Sequence, residues 1–141
     1  PMSVPVLARN DAEMDLYLSL PHVSSARALA KQANTALVGI GQMGDDAPLF
    51  VDGFISAEQL SEVQALGAVG EICSHMFDED GKLIDHPVRR QMVGLLPDVT
   101  QMRVICIGGG GKKIPALRAA LRGGLISDLV TDEVTAQALV K

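Results

Sequence analysis

The sequence predicts an α/β layer fold built on a mainly parallel sheet, and three observations carry that expectation. Residues 36–40 (ALVGI) and 104–107 (VICI) are short uninterrupted apolar runs, the pattern of parallel strands buried on both faces. From residue 36 onward, such runs alternate with segments whose apolar residues recur at helical spacing. The second run passes directly into four glycines and then a helical segment. The chain has 141 residues, 48% of them apolar, which is enough for one core and too little for two ordinary domains. No internal repeat or long linker divides it.

Residues 1–10, with two prolines, Val4, Val6 and Leu7, are expected to be an extended lead-in. Asp11 is expected to cap a short helix carrying Met14, Leu16, Tyr17, Leu18 and Leu20. Pro21 opens a second helix with Val23, Ala26, Leu29, Ala30 and Ala33, and Asn34 suits its left-handed stop. The strand at 36–40 ends on Gly41, and residues 42–48, rich in Gly and Asp, are expected to be loop. Asp52-Gly53, between Leu49-Phe50-Val51 and Phe54-Ile55, marks a tight turn or a loop edge.

Ser56-Ala57-Glu58-Gln59 is a capping box: the serine hydroxyl and the glutamine side chain each satisfy the other's backbone N–H. Leu60, Val63 and Leu66 form the buried stripe of that helix, and Gly67 closes it. Residues 68–73 are a second apolar run broken by Glu71, and residues 77–84 read as an acidic, solvated hairpin tip. After the glycines, Leu117, Ala120 and Leu121 line a helix closed by Gly123-Gly124. Residues 125–130 return as a strand, and Thr131-Asp132 caps a last helix holding Val134, Ala138 and Leu139.

Composition excludes several functions. Aromatic residues are only 3% and Trp is absent, so there is no base-stacking platform for single-stranded nucleic acid. A net charge of −5 opposes a phosphate-backbone footprint. No window is apolar enough to span a bilayer, and no secretory leader pattern opens the sequence. A soluble, cytoplasmic chain is therefore expected, and Pro1 followed by Met2 fits a piece of something longer. Cys73 and Cys106 lack metal-ligand spacing and read as small buried hydrophobes. His22, His75 and His86 form no ligand pair, and the Ser24-Ser25 pair lacks the GxSxG context of a nucleophile, so no catalytic residue, cofactor or metal is expected.

The strongest local feature is Gly108, Gly109, Gly110 and Gly111 followed by Lys112 and Lys113, between strand and helix. In parallel α/β folds the binding crevice lies beyond the carboxyl ends of the strands, where helix N-termini point unpaired N–H groups. Glycines let the backbone approach an anion, and a lysine adds a full charge, so phosphate is the natural guest. The run is no Walker A loop, since no Ser or Thr follows the lysine. It also lacks the ribose-binding acid of a dinucleotide fold. A merely tight strand-to-helix turn is the alternative. Glu71, beside Gly70, is an acid within an apolar run at an expected strand end. Its carboxylate could accept hydrogen bonds from sugar hydroxyls, with the glycine leaving room for the ring; an edge charge is the plainer reading. Asp52 is a weaker candidate of the same kind.

Taken together, several stretches resemble one family. Gly67-Ala68-Val69-Gly70-Glu71-Ile72, then Phe77-Asp78 and Gly81, resembles the GAVGDI…FFD..G segment of the sorbitol-operon-regulator (SorC) family. Gly108-Gly109-Gly110 with Lys113, Ala116 and Leu117 resembles its AGG..K..AI. Ala36-Leu37-Val38-Gly39-Ile40-Gly41 is similar to its ALVGIG. Residues 119–126 (AALRGGLI), with 129–133 (LVTDE) and Thr135-Ala136, resemble its AALRGGLID.LVTDE.TA. The resemblance implies a Rossmann-like three-layer α/β/α fold, related to sugar-phosphate isomerases and glucosamine-phosphate deaminases. It also implies that residues 1–141 are a single domain, the C-terminal portion of the effector domain of a bacterial transcriptional regulator, without the helix-turn-helix. Such regulators bind phosphorylated sugars, form dimers or tetramers, and change their hold on operator DNA when the ligand binds. By the same resemblance Lys113 touches the ligand and Glu71 contacts sugar hydroxyls, with Asp52 an approximate match. The chain departs from the family at Gly111-Lys112, where family loops often continue with Pro. An isomerase- or deaminase-like enzyme of the same architecture is the alternative. It would need an acid and a base on opposite sides of the substrate, and no partner for Glu71 stands out.

Overall fold

Two three-stranded sheets organise the computed structural model, which describes residues 2–141. The first is parallel: β1 (Thr35–Val38), β5 (Arg103–Ile107) and β6 (Asp128–Val130), in the order β1-β5-β6. Val38 lies beside Cys106, and Ile107 beside Val130. The second is antiparallel: β2 (Gly41–Gln42), β3 (Gly70–Ile72) and β4 (His75–Phe77), in that order. Seven helices complete the described fold: α1 (Asp11–Ser19), α2 (Pro21–Lys31), α3 (Pro48–Val51), α4 (Ala57–Ala65), α5 (Pro87–Arg90), α6 (Ile114–Arg122) and α7 (Glu133–Val140). The expected α/β class is what forms.

The main core lies under one face of the parallel sheet. Val38, Val104 and Cys106 point down onto Ala116, Leu117, Ala119 and Ala120 of α6, with Ile72 and Phe77 completing the cluster. Small alanines on α6 let the helix approach closely, which compensates for the scarcity of aromatics. A second cluster joins Met43, Leu49, Leu60, Val63, Met76 and Met92. Side chains alternate along β4, so Phe77 enters the first cluster and Met76 the second. The antiparallel sheet therefore separates two cores and is wetted on neither face at that strand.

Several local expectations give way to better-satisfied backbone groups. Asn10, not Asp11, caps α1: its side chain accepts from the Glu13 amide at 2.9 Å. Asn34 takes no left-handed conformation, because α2 ends earlier, at Lys31, with Gln32 as its cap. Residues 42–48 are not all loop, since Gln42 pairs with Gly70 and Pro48 begins α3. The run at 68–73 supplies an antiparallel strand, so the alternation of strands and helices is broken there. The last strand shrinks from 125–130 to Asp128–Val130. The capping box forms as expected, with Ser56 Oγ accepting from the Gln59 amide at 3.2 Å and Gln59 Oε1 from the Ser56 amide at 2.9 Å. Asp132 caps α7, accepting from the Thr135 amide at 2.8 Å.

Candidate functional site

A cavity of about 520 Å³ opens beyond the carboxyl end of β1 and gathers Lys113, Glu71 and Asp52 from three separate parts of the chain. Lys113 arrives from the glycine turn after β5, where residues Gly111–Lys113 make a single 3-10 turn before α6. Glu71 comes from the middle of β3, and Asp52 from the C-terminal cap of α3. Leu37, Leu49, Phe54, Cys73 and Ser74 contribute to the remaining wall. The position is the one where open parallel sheets bind ligands.

Glu71 is held in place. Its Oε2 accepts from the Ser74 amide at 2.7 Å. On its other side lies Gly41, where a β-carbon would stand 2.2 Å from Glu71 Oε1. Only a glycine leaves that carboxylate its place, so Gly41 is a positioning residue that the sequence did not single out. Its signal is long-range, since Gly41 pairs with Glu71 across strands thirty residues apart. Burial raises the Glu71 pKa above the usual carboxylate range, and the opposing pull of the Ser74 amide and the Lys113 charge does not cancel it. Cys73 and Ser74, with φ of 51° and 69°, form the two-residue turn between β3 and β4. Such a turn requires left-handed backbone at both central positions.

The glycine turn is only partly open. Gly108 donates to the Val130 carbonyl at 3.1 Å, and Gly110, at φ 102°, donates to Thr135 Oγ1 at 2.8 Å. That hydroxyl in turn donates to Asp132 Oδ2 at 2.7 Å. Gly109 lies against the same carboxylate: a β-carbon there would be 2.1 Å from Asp132 Oδ2. The Gly109, Gly111 and Lys112 amides donate to no other group among the described residues. Lys112 is engaged in an ion pair with Asp46, which also accepts from Gln42 Nε2 at 3.0 Å. Among the described residues, the unpaired cation facing the cavity is therefore Lys113 and not the lysine before it. None of the four glycines lines the cavity wall itself, although a β-carbon at Gly108 would come within 4.0 Å of the Lys113 stem.

Gly70 departs from expectation. The space a β-carbon would need there is filled by Ala116 Cβ at 2.6 Å and the Phe77 ring at 2.7 Å. Its missing side chain makes room for the core and not for a sugar ring. Among the described residues no cluster of His, Cys, Asp and Glu could hold a metal ion.

The whole chain, residues 1–141, matches a family described as "Putative sugar-binding domain". It is 30% identical over 140 residues to the erythritol catabolism regulatory protein EryD of Brucella abortus (strain 2308), covering 99% of this chain and 44% of that protein. It is 34% identical over 121 residues to the deoxyribonucleoside regulator of Bacillus subtilis (strain 168), covering 84% of this chain and 38% of the relative. The full-length sorbitol operon regulator SorC of Klebsiella pneumoniae superposes with a TM-score of 0.87 at 27% identity, over 97% of this chain and 45% of that one. The chain thus spans less than half the length of these relatives, all three of which are named as regulators.

Proposed function

Because this chain belongs to the family of sugar-binding domains found in SorC-type transcriptional regulators, we propose that its cavity senses a phosphorylated sugar and relays occupancy to operator binding. The observation that supports this reading is the convergence of one free lysine and two carboxylates on a single crevice at the strand ends. In it the phosphate meets the Lys113 ammonium, which the turn formed by Gly108, Gly109, Gly110 and Gly111 carries to the crevice. The sugar hydroxyls donate to Glu71 and Asp52. Gly70 supports the site indirectly by seating Phe77 and Ala116 beneath β3.

The chain is then the C-terminal portion of an effector domain, with the DNA-binding domain lying outside these residues. Ligand binding needs only a difference in affinity between two arrangements of a homo-oligomer to change the regulator's hold on DNA. Such a regulator works in the cytoplasm, and among the described residues no helix is long and apolar enough to cross a membrane.

Replacing Lys113 by Ala should weaken binding of hexose and pentose phosphates roughly ten- to a hundredfold, the effect of losing one charge-assisted contact. Calorimetric titration of the full-length regulator measures it. An unchanged affinity would remove Lys113 from the site.

A further inference from the structure

The two hydrophobic cores do not account for Phe54. It belongs to neither core cluster, whereas Phe77 is fully buried in one and Phe50 packs against the other. Its side chain is 40% exposed and lines the same cavity as Glu71, Asp52 and Lys113.

Its backbone is nonetheless held in place by hydrogen bonds. Helix α3 ends in a Schellman motif: Gly53, at φ 77°, donates to the Phe50 carbonyl at 2.9 Å, and Phe54 donates to the Leu49 carbonyl at 2.9 Å. A further bond at 3.1 Å ties Ile55 to the same Leu49 carbonyl. The residue in Phe54's place in such a motif commonly packs back on its own helix. Here Leu49 is buried beneath, and Phe54 keeps substantial surface open to the cavity. One backbone cap therefore presents an aromatic ring and, two residues earlier, the Asp52 carboxylate to the same space.

That pairing fits one class of ligand. A closed sugar ring has a face of C–H groups, which an aromatic surface covers well, and an equatorial belt of hydroxyls, which carboxylates accept. An open-chain polyol presents no such flat apolar face and must lose several torsional freedoms to adopt one. We infer that Phe54 is the ring-recognition residue of this cavity and that the effector is a cyclic sugar phosphate in preference to an acyclic one. The inference rests on the sugar-phosphate reading above and narrows it.

The test is calorimetric titration of the full-length regulator with matched pairs: glucose 6-phosphate against glucitol 6-phosphate, and ribose 5-phosphate against ribitol 5-phosphate. Wild-type protein should bind the ring form of at least one pair about tenfold more tightly than its open-chain partner. Phe54→Leu, which keeps an apolar side chain, should collapse that ratio toward one, and Phe54→Trp should preserve it. Thermal melting checks that both variants fold. Binding without discrimination, or a ratio unmoved by Phe54→Leu, overturns the role of Phe54 and leaves the sugar-phosphate reading standing. Failure of wild-type protein to bind any of the four overturns both.

Discussion

Glu71 shows how one side chain serves two demands. As an acceptor it fixes the left-handed Ser74, and as a half-buried carboxylate beside Lys113 it faces the cavity. Burial raises its pKa in the folded state, so the folded protein binds that proton more tightly than the unfolded chain does. Its stabilising contribution is complete below the ordinary glutamate value of 4.5 and is lost as pH rises through the folded value. Glu71→Gln keeps an oxygen for the Ser74 amide and removes the ionisation. The variant should melt above wild type at neutral pH, and the gap should close as the pH falls toward 4.5. A variant that melts below wild type at neutral pH would show that the ionised carboxylate contributes more through its hydrogen bond and Lys113 than it loses to burial.

At the scale of elements, what the sequence makes legible is what has local punctuation. The capping box at Ser56 and Gln59, the glycine turn, the Gly123-Gly124 stop and the apolar run of β5 each carry their own signal, and each forms. The antiparallel sheet does not announce itself. Strands of two or three residues are too short for an alternating pattern, and β2 becomes a strand only because β3 lies beside it. Helix α3 is missed for a related reason: Leu49, Phe50 and Val51 have strand-like composition, and only the Pro at its start and the glycine after it mark a helical turn. Of the site, Lys113 and Glu71 were legible as chemistry, while Gly41 and Phe54 acquire meaning only when distant segments meet.

Two caps test these accounts. Ser56→Ala removes one acceptor and should cost about 1 kcal/mol. Gly53→Ala meets no neighbouring atom, yet it must hold a side chain at φ 77° and should also cost about 1 kcal/mol. Denaturant midpoints at constant slope measure both. A Gly53→Ala protein of unchanged stability would show that the α3 cap is not the rigid support required of it.

Across the fold as a whole, the described residues cover the parallel sheet on one side only. The face opposite α6 carries Leu37, Ile107 and Val130, exposed by 69%, 52% and 55%, with half-buried Ile105 between them. Parallel sheets are ordinarily buried on both faces. This chain should therefore bind a hydrophobic dye such as ANS in its folded state. The double variant Leu37→Thr, Ile107→Thr should lower that fluorescence with little loss of stability. Equal dye binding by the variant would place the apolar surface elsewhere.

The strand order has a consequence for how the pocket could be finished. In β1-β5-β6 the strand whose tip borders the crevice is also a margin of the sheet, with one row of peptide groups turned outward. Any segment that zipped onto that margin, from this polypeptide or another, would bring its own terminus alongside Lys113 and Glu71.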